Sequence, residues 1–451
     1  MLNVLISVVG LILTILLVVG VHELGHFLVA RSLKIKVLRF SIGFGKILYK
    51  WSDKKGTEFA ISAIPLGGYV KLLNEEEDPV APEDLHLAFN RQSYLKKIAV
   101  IAAGPLFNLI FAFLIYWGLF FVGFESIVPM IGKIIPHSIA ADSGIQPNQE
   151  ILQIDKRETP TWIAIIVELL SHAGNKDSLQ LSTLSSPSSS PVTYHLNLTN
   201  WHIDELRPDP LNSLGIVPYE PFIPPVIGKI GKDTPAEFTP LREGDEIISL
   251  NGHPIKDWID LAEITYNNPN KKILFKIKRD NRILSFPVLM SSQRDFLFRK
   301  HGFIGISPNF KIPKQLLRDN KSTLSAGALH AFQSVTTFTK LNFIMLGKML
   351  TGKISLKSLG GPISIFESAG TSLNNGLVAF LGFLAFLSIS IGTINIIPIP
   401  GLDGGHIFFE TIELIIRKPL DLKAQMLFYR LGIILLVLLM FQAMTNDLLR
   451  L

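Results

Sequence analysis

Hydrophobic and polar positions sort along this chain into long uncharged runs and shorter alternating stretches. No formal charge occurs over residues 2–21, and a second uncharged stretch covers residues 98–124. A third lies between Glu367 and Asp403, most apolar over residues 377–399, and a fourth over residues 426–444 is interrupted only by Arg430. Twenty residues at helical rise make about 30 Å, the thickness of a bilayer's hydrocarbon core. The pattern predicts four transmembrane helices, with Arg430 snorkelling towards an end of the last. A cleaved signal peptide would carry a basic leading region and a small-residue cleavage site, and the first run has neither.

Between these runs the period changes. Residues 40–51 and 57–70 alternate apolar with small or polar side chains, punctuated by Gly43, Gly45, Pro65, Gly67 and Gly68. This predicts β-hairpins over 31–96. From residue 325 to 350 a helical period returns, with Leu329, Phe332, Val335, Phe338, Leu341 and Met345 on one side, and Gly360-Gly361-Pro362 breaks it. Amphipathic helices over 322–374, lying on the membrane surface, are expected there.

The long segment between the second and third runs contains itself twice. Ile131-Gly132-Lys133-Ile134 recurs 96 residues later as Ile227-Gly228-Lys229-Ile230. At the same offset Ala140 matches Ala236, Glu150-Ile151 matches Glu246-Ile247 and Trp162 matches Trp258. A shared offset over some thirty residues implies two copies of one domain, over 127–221 and 222–310. Each copy alternates short strands with turns and sets one helix after its Trp. The Ser/Pro stretch over 185–191 reads as a hairpin tip.

Composition and charge then narrow the class. Among 451 residues, 48% are hydrophobic and only 18% charged, with a mean hydropathy of +0.37, too little charge to cover a wholly soluble chain. The net charge of +6 does not point to nucleic acid, because the basic residues sit beside the apolar runs. Twelve Lys and Arg residues from Arg31 to Lys97 separate the first two runs, and Arg417, Lys418 and Lys423 separate the last two. Basic short loops face the cytoplasm, so both termini and the duplicated segment are expected outside. There is no cysteine, which removes disulfides, thiolate metal sites and cysteine nucleophiles. Any metal must rest on His, Asp or Glu.

The first run ends in His22-Glu23-Leu24-Gly25-His26. Residues four apart on a helix lie about 40° apart and one turn along, so two imidazoles there can hold one zinc. Glu23, about 100° round, can serve a water activated at that metal. Ionisable groups inside an apolar span are costly and point to function. A zinc hydrolase needs a third protein ligand, and residues 40–50 contain no acid. Asp403, in Leu402-Asp403-Gly404-Gly405, finishes the third run on the same side as His26 and is the candidate. Iron or cobalt would suit the same ligands.

These motifs together resemble the site-2 protease family of intramembrane zinc metalloproteases, and the resemblance runs essentially end to end. It implies a polytopic α-helical membrane protein with four transmembrane helices (1–30, 97–124, 376–403 and 426–446), a cytoplasmic-side re-entrant β-hairpin region and two tandem exterior PDZ-like α+β domains. It implies Zn²⁺ on His22, His26 and Asp403, with Glu23 as general base. The family's Asn-x-x-Pro-x-Pro segment maps onto Asn395, Pro398 and Pro400, expected to handle substrate. Gly104-Pro105-Leu106-Phe107-Asn108 is a recurring family element that equally reads as close helix packing. The first PDZ-like copy departs from the pattern, with Asn148-Gln149 where Gly244-Asp245 stands in the second.

The expected activity is cleavage within single-span membrane proteins, an anti-sigma factor already shortened outside or a remnant signal peptide, with the PDZ-like domains limiting access. The expected location is a bacterial inner membrane, with the lipid bilayer as partner, no nucleic acid and no required oligomer. A catalytically silent PDZ-bearing scaffold is the alternative, and the intact His22, Glu23, His26 and Asp403 set argues against it. An ion transporter would want carboxylates and His along the second and fourth runs, which supply none.

Overall fold

The computed structural model describes residues 2–450 apart from 77–78, 175–176, 187, 205–208, 295–299 and 419. The chain forms two compact units, one of Ile6–Val217 with Asp319–Leu451, the other of Met1–Leu5 with Pro218–Arg318.

Helix α1 (Leu2–Ser32) leads into two long strands, β1 (Val37–Ser52) and β2 (Glu58–Leu72). Their register shows more than a simple hairpin. Residues 39–42 are flanked on one side by 58–61 and on the other by 68–71, while 47–52 pair with the free side of 58–62. Gly43 and Gly45, both at positive φ, let β1 turn sharply enough to pair on two sides of its partner. Phe27 of α1 packs on Phe40 and Phe59 of this sheet. Helix α2 (Tyr94–Val122) follows.

The first repeat contains β3 (Glu150–Ile154), β4 (Arg157–Glu158), α3 (Trp162–His172), β5 (Ser178–Leu184) and β6 (Val192–Asn197) in a sheet of order β4-β3-β5-β6. Its core is Ile131, Ile151, Ile154, Ile165, Leu179, Leu181 and Leu196. Ser185 to Pro191 joins β5 to β6, and Pro187 within it lies outside the described residues. The second repeat contains β7 (Glu246–Leu250), β8 (His253–Pro254), α4 (Trp258–Tyr266), β9 (Lys272–Arg279) and β10 (Arg282–Leu289), in the matching order β8-β7-β9-β10. Even the irregularities coincide, with a register shift between Ile151 and Gln153 in one and between Ile247 and Ser249 in the other.

The departure at Asn148-Gln149 has a structural counterpart. In the second repeat, buried Asp245 accepts from Arg279 Nε and Nη2 at 2.6 and 2.7 Å. In the first, Gln149 donates to Ser185 Oγ and Tyr194 Oη, each at 3.1 Å, and accepts from Thr183 Oγ1 at 3.0 Å. A neutral network replaces an ion pair, so the loop is satisfied by different chemistry.

Helix α5 (Leu324–Leu350) splits its apolar stripe between neighbours. Val335 and Phe338 pack beside Ala112, with Phe338 stacked on Tyr116 of α2 at 6.0 Å between ring centres. Leu341 and Met345 pack on the core of the first repeat, while Leu329 and Phe332 stay exposed. The helix expected to lie on the membrane surface is thus held along α2. Helices α6 (Pro362–Asn374), α7 (Leu377–Ile396), α8 (Asp403–Ile416) and α9 (Leu422–Arg450) complete the chain.

Among the described residues four helices, over Leu5–Ser32, Tyr94–Val122, Leu377–Ile396 and Gln425–Arg450, are long and apolar enough to cross a membrane. The second and third approach closely through small residues: Ala112 and Ala385 are fully buried, and a Cβ on Gly392 would come within 2.9 Å of Pro105 O. The third ends at Ile396 and does not run on to Asp403. Pro398 forces Ile397 into extended backbone (φ −68°, ψ 139°), and a new helix begins at Asp403. Helix α8 was not expected from the sequence pattern.

Candidate metal centre

Two elements remote in sequence bring three ligand groups together. Near its C-terminal end α1 presents His22 and His26 on one face, as their spacing of four requires. Asp403 opens α8, where a carboxylate suits the positive end of the helix dipole. Asp403 Oδ2 lies 3.0 Å from His22 Nε2 and 3.6 Å from His26 Nε2, and the two Nε2 atoms are 3.2 Å apart. An ion bound tetrahedrally at about 2.0–2.1 Å sets its ligand atoms about 3.3–3.4 Å apart. The observed triangle brackets that spacing, so the donor set fits a small divalent cation without rearrangement. Among the described residues it is the only group of three or more His, Asp or Glu so disposed.

Helix α2 forms the wall behind the imidazoles. A Cβ on Gly104 would strike His26 Nε2 and come 2.8 Å from His22 Nε2, so only glycine leaves both rings in place. Gly25 fits against Ala103 O, where a Cβ would come within 2.5 Å. His26 Nδ1 is 2.8 Å from Val100 O, and His22 Nδ1 is 3.2 Å from Asn108 Nδ2. Val100, Gly104 and Asn108 are spaced by four and form one stripe of α2 facing the site. The sequence marks Gly104 to Asn108 as a family element that equally reads as close helix packing, and neither reading anticipates the contact of Asn108 with His22. The spacing of four was the signal available.

Glu23 faces the β-sheet. A Cβ on Gly68 would come 2.9 Å from Glu23 Cγ, so β2 passes directly over this side chain. The sheet is held by charge at its far side: Glu58 accepts from Lys50 at 3.1 Å and from Arg39 at 2.6 Å. Lys50, and with it Arg39, holds the Glu58 carboxyl below its usual range, against the opposing effect of burial.

The approach to Asp403 depends on further glycines. Cβ atoms on Gly404 and Gly405 would strike the carbonyls of Ile396, Ile397 and Ile399, and one on Gly432 of α9 would strike Pro400. Residues 397–402 therefore fold tightly under the start of α8. Pro398 and Pro400 lie in this elbow, while Asn395 is half-buried on the last turn of α7 and outside the ligand triangle. Beyond Asp403, α8 is tied to its neighbours by polar contacts that the sequence reading missed. Lys97 Nζ is 3.2 Å from Glu410 Oε1, and Tyr429 Oη is 2.8 Å from His406 Nδ1. Burial pushes the Glu410 carboxyl up, and Lys97 opposes it.

Comparison with known proteins gives concordant matches. The model of Peptidase family M50 aligns with residues 10–439. The chain is 38% identical over 453 residues to the regulator of sigma-E protease RseP of Salmonella typhimurium, and 40% identical over 455 residues to that of Escherichia coli, covering all of both chains in each case. It is 36% identical over 454 residues to a putative zinc metalloprotease of Vibrio cholerae, again over the full length of both.

Proposed function

Because the chain belongs to peptidase family M50, we propose that it is a zinc-dependent intramembrane endopeptidase of the site-2 type. His22, His26 and Asp403 hold the metal, and Glu23 is the general base. The observation that carries this reading is the spacing of the three donor atoms, 3.0, 3.2 and 3.6 Å, from two helices separated by most of the chain. Bound there, zinc supplies a Lewis acid that acidifies water and polarises the scissile carbonyl. Glu23 accepts a proton from the attacking water and delivers it to the departing amine. Gly104 keeps the imidazoles free of steric conflict, and the partial burial of all three ligands limits competing water.

Substrate is a single-span membrane protein whose helix must open before its amides are reached. The β-sheet over Glu23, a cytoplasmic-side re-entrant region, receives the extended strand by edge pairing. Asn395, Pro398 and Pro400 border the same site and handle the substrate backbone, since irregular backbone at membrane depth is tolerated where it lines a cavity. Both termini and the two repeats, which act as tandem PDZ-like domains limiting access, lie on the periplasmic face of a bacterial inner membrane. The names of the Salmonella typhimurium and Escherichia coli relatives support a role in sigma-E regulation. In that role the substrate is an anti-sigma factor, as the family resemblance of the sequence motifs implies. No oligomer is required.

The test is chelator-sensitive cleavage of a reporter transmembrane substrate by the purified full chain in detergent. Glu23→Gln is expected to keep its zinc and lose cleavage; normal turnover by it would remove the general-base role. Asp403→Ala is expected to lose zinc by elemental analysis, and undiminished zinc would require another third ligand.

A further inference from the structure

His22 and His26 turn Nε2 towards Asp403, so an ion in the triangle leaves Nδ1 of each ring as the protonated nitrogen. Metal-ligating imidazoles donate that second N–H to a carbonyl or carboxylate, which fixes tautomer and ring angle. For His26 the acceptor is Val100 O at 2.8 Å. For His22 the neighbour is Asn108 at 3.2 Å, and it presents Nδ2, a donor. That arrangement suits a ring protonated on Nε2, the nitrogen that faces Asp403 Oδ2 at 3.0 Å. For a ring bound through Nε2, it sets donor against donor.

A second observation shows where the acceptor is. Asn108 is fully buried, and its Oδ1 has no hydrogen-bond partner. A half-turn of the amide exchanges the two ends, which are alike in size, and brings Oδ1 onto His22 Nδ1–H. The residue's backbone is fixed meanwhile. Ser388 Oγ donates to Asn108 O at 2.9 Å, and Gly392 lies so close that a Cβ there would come 3.1 Å from Asn108 Cβ. Beside Gly392, the hydroxyl of Thr393 is likewise buried without a partner.

We propose that Asn108 is a positioning residue for His22: its amide oxygen holds the imidazole in the Nδ1–H tautomer, at the ring angle that a metal on Nε2 requires. This rests on reading His22, His26 and Asp403 as the ligand set. One stripe of α2 then orients both imidazoles, through the Val100 carbonyl and the Asn108 side chain, with Gly104 between them making the room.

The test is zinc affinity of the full chain in detergent, measured by competition with a chromophoric chelator, for wild type, Asn108→Leu and Asn108→Asp. Leucine has the same branched four-atom skeleton as asparagine and offers no acceptor, and it is expected to weaken zinc binding about 10–100-fold. Aspartate keeps an acceptor and is expected to bind within about threefold of wild type or tighter. Leucine binding as tightly as wild type would overturn the proposal. So would aspartate binding as weakly as leucine, because the role would then belong to the amide's donor or shape. Nitrogen-15 spectra of histidine-labelled, zinc-loaded wild type give a readout free of any folding defect. A protonated His22 Nδ1 is expected, and an unprotonated one would overturn the proposal. Wild type that binds no zinc would strike the ligand set itself, a result separable from any difference between the variants.

Discussion

At Gly104 the volume of one methyl group separates a usable ligand pair from a blocked one. A Cβ there meets His26 Nε2 and lies 2.8 Å from His22 Nε2, and neither ring can withdraw freely. His22 is held between Asp403 and Asn108, and His26 against Val100 O. Gly104→Ala is therefore expected to weaken zinc binding at least tenfold while α2 itself gains helix propensity. Chelator competition measures the first, and far-ultraviolet circular dichroism should show undiminished helix. Unchanged affinity would mean that the rings carry more freedom than their contacts indicate. Glu23 differs in kind: it packs against Gly68 of β2 and is not one of the three donors, so substitution there should spare the metal and strike the chemistry.

Elements in this protein are often finished by residues of other elements. The cap position of helix α6 is Gly361, which has no side chain to serve there. Asp447, near the end of α9, does the capping instead. It accepts from Gly361 N at 2.9 Å, Ile363 N at 2.9 Å, Ser364 N at 3.1 Å and Ser364 Oγ at 2.5 Å. The carboxylate is buried, and its neighbour Asn446 donates to Leu356 O and Leu359 O. Removing the acceptor leaves buried N–H groups unpaired, at about 1–3 kcal/mol for the first of them. Asp447→Ala should lower the thermal midpoint and speed limited proteolysis near residues 355–361, and Asp447→Asn should recover part of both. Proteolysis unchanged in both variants would show that α9 does not secure this loop. The elbow over 397–402 follows the same rule, since Gly404, Gly405 and Gly432 let backbone pack on backbone where side chains would collide.

At the scale of the molecule, the ligands come from the two ends of the chain, so a bound ion cross-links α1 to α8. A ligand that binds only the folded state stabilises it by about 2.7 kcal/mol at a free concentration a hundredfold above Kd. Stripping zinc is expected to lower the thermal midpoint, and titrating zinc back should restore it with a concentration dependence that Asp403→Ala lacks. A midpoint that ignores zinc in wild type would place the ion outside the folding unit.

Much of this was written in periodicity. Runs of about twenty apolar residues announce four membrane-length helices, because such a segment has nowhere else to satisfy its backbone. The offset of 96 announces two copies of a fold, and the sheets share strand order and register shift. His22, Glu23 and His26 are legible because one helix sets their geometry, and the family is legible from the same motifs. Other features had no local signal. The turn of β1 onto both sides of β2, the break of the third apolar run at Ile396 and the start of α8 at Asp403 depend on prolines, glycines and neighbouring carbonyls acting together. Asn108 beside His22, Val100 O beside His26 and Asp447 over Gly361 join residues between 74 and 86 positions apart. Local pattern records what each segment must bury; which polar group meets which is settled when buried donors and acceptors find partners in the packed interior.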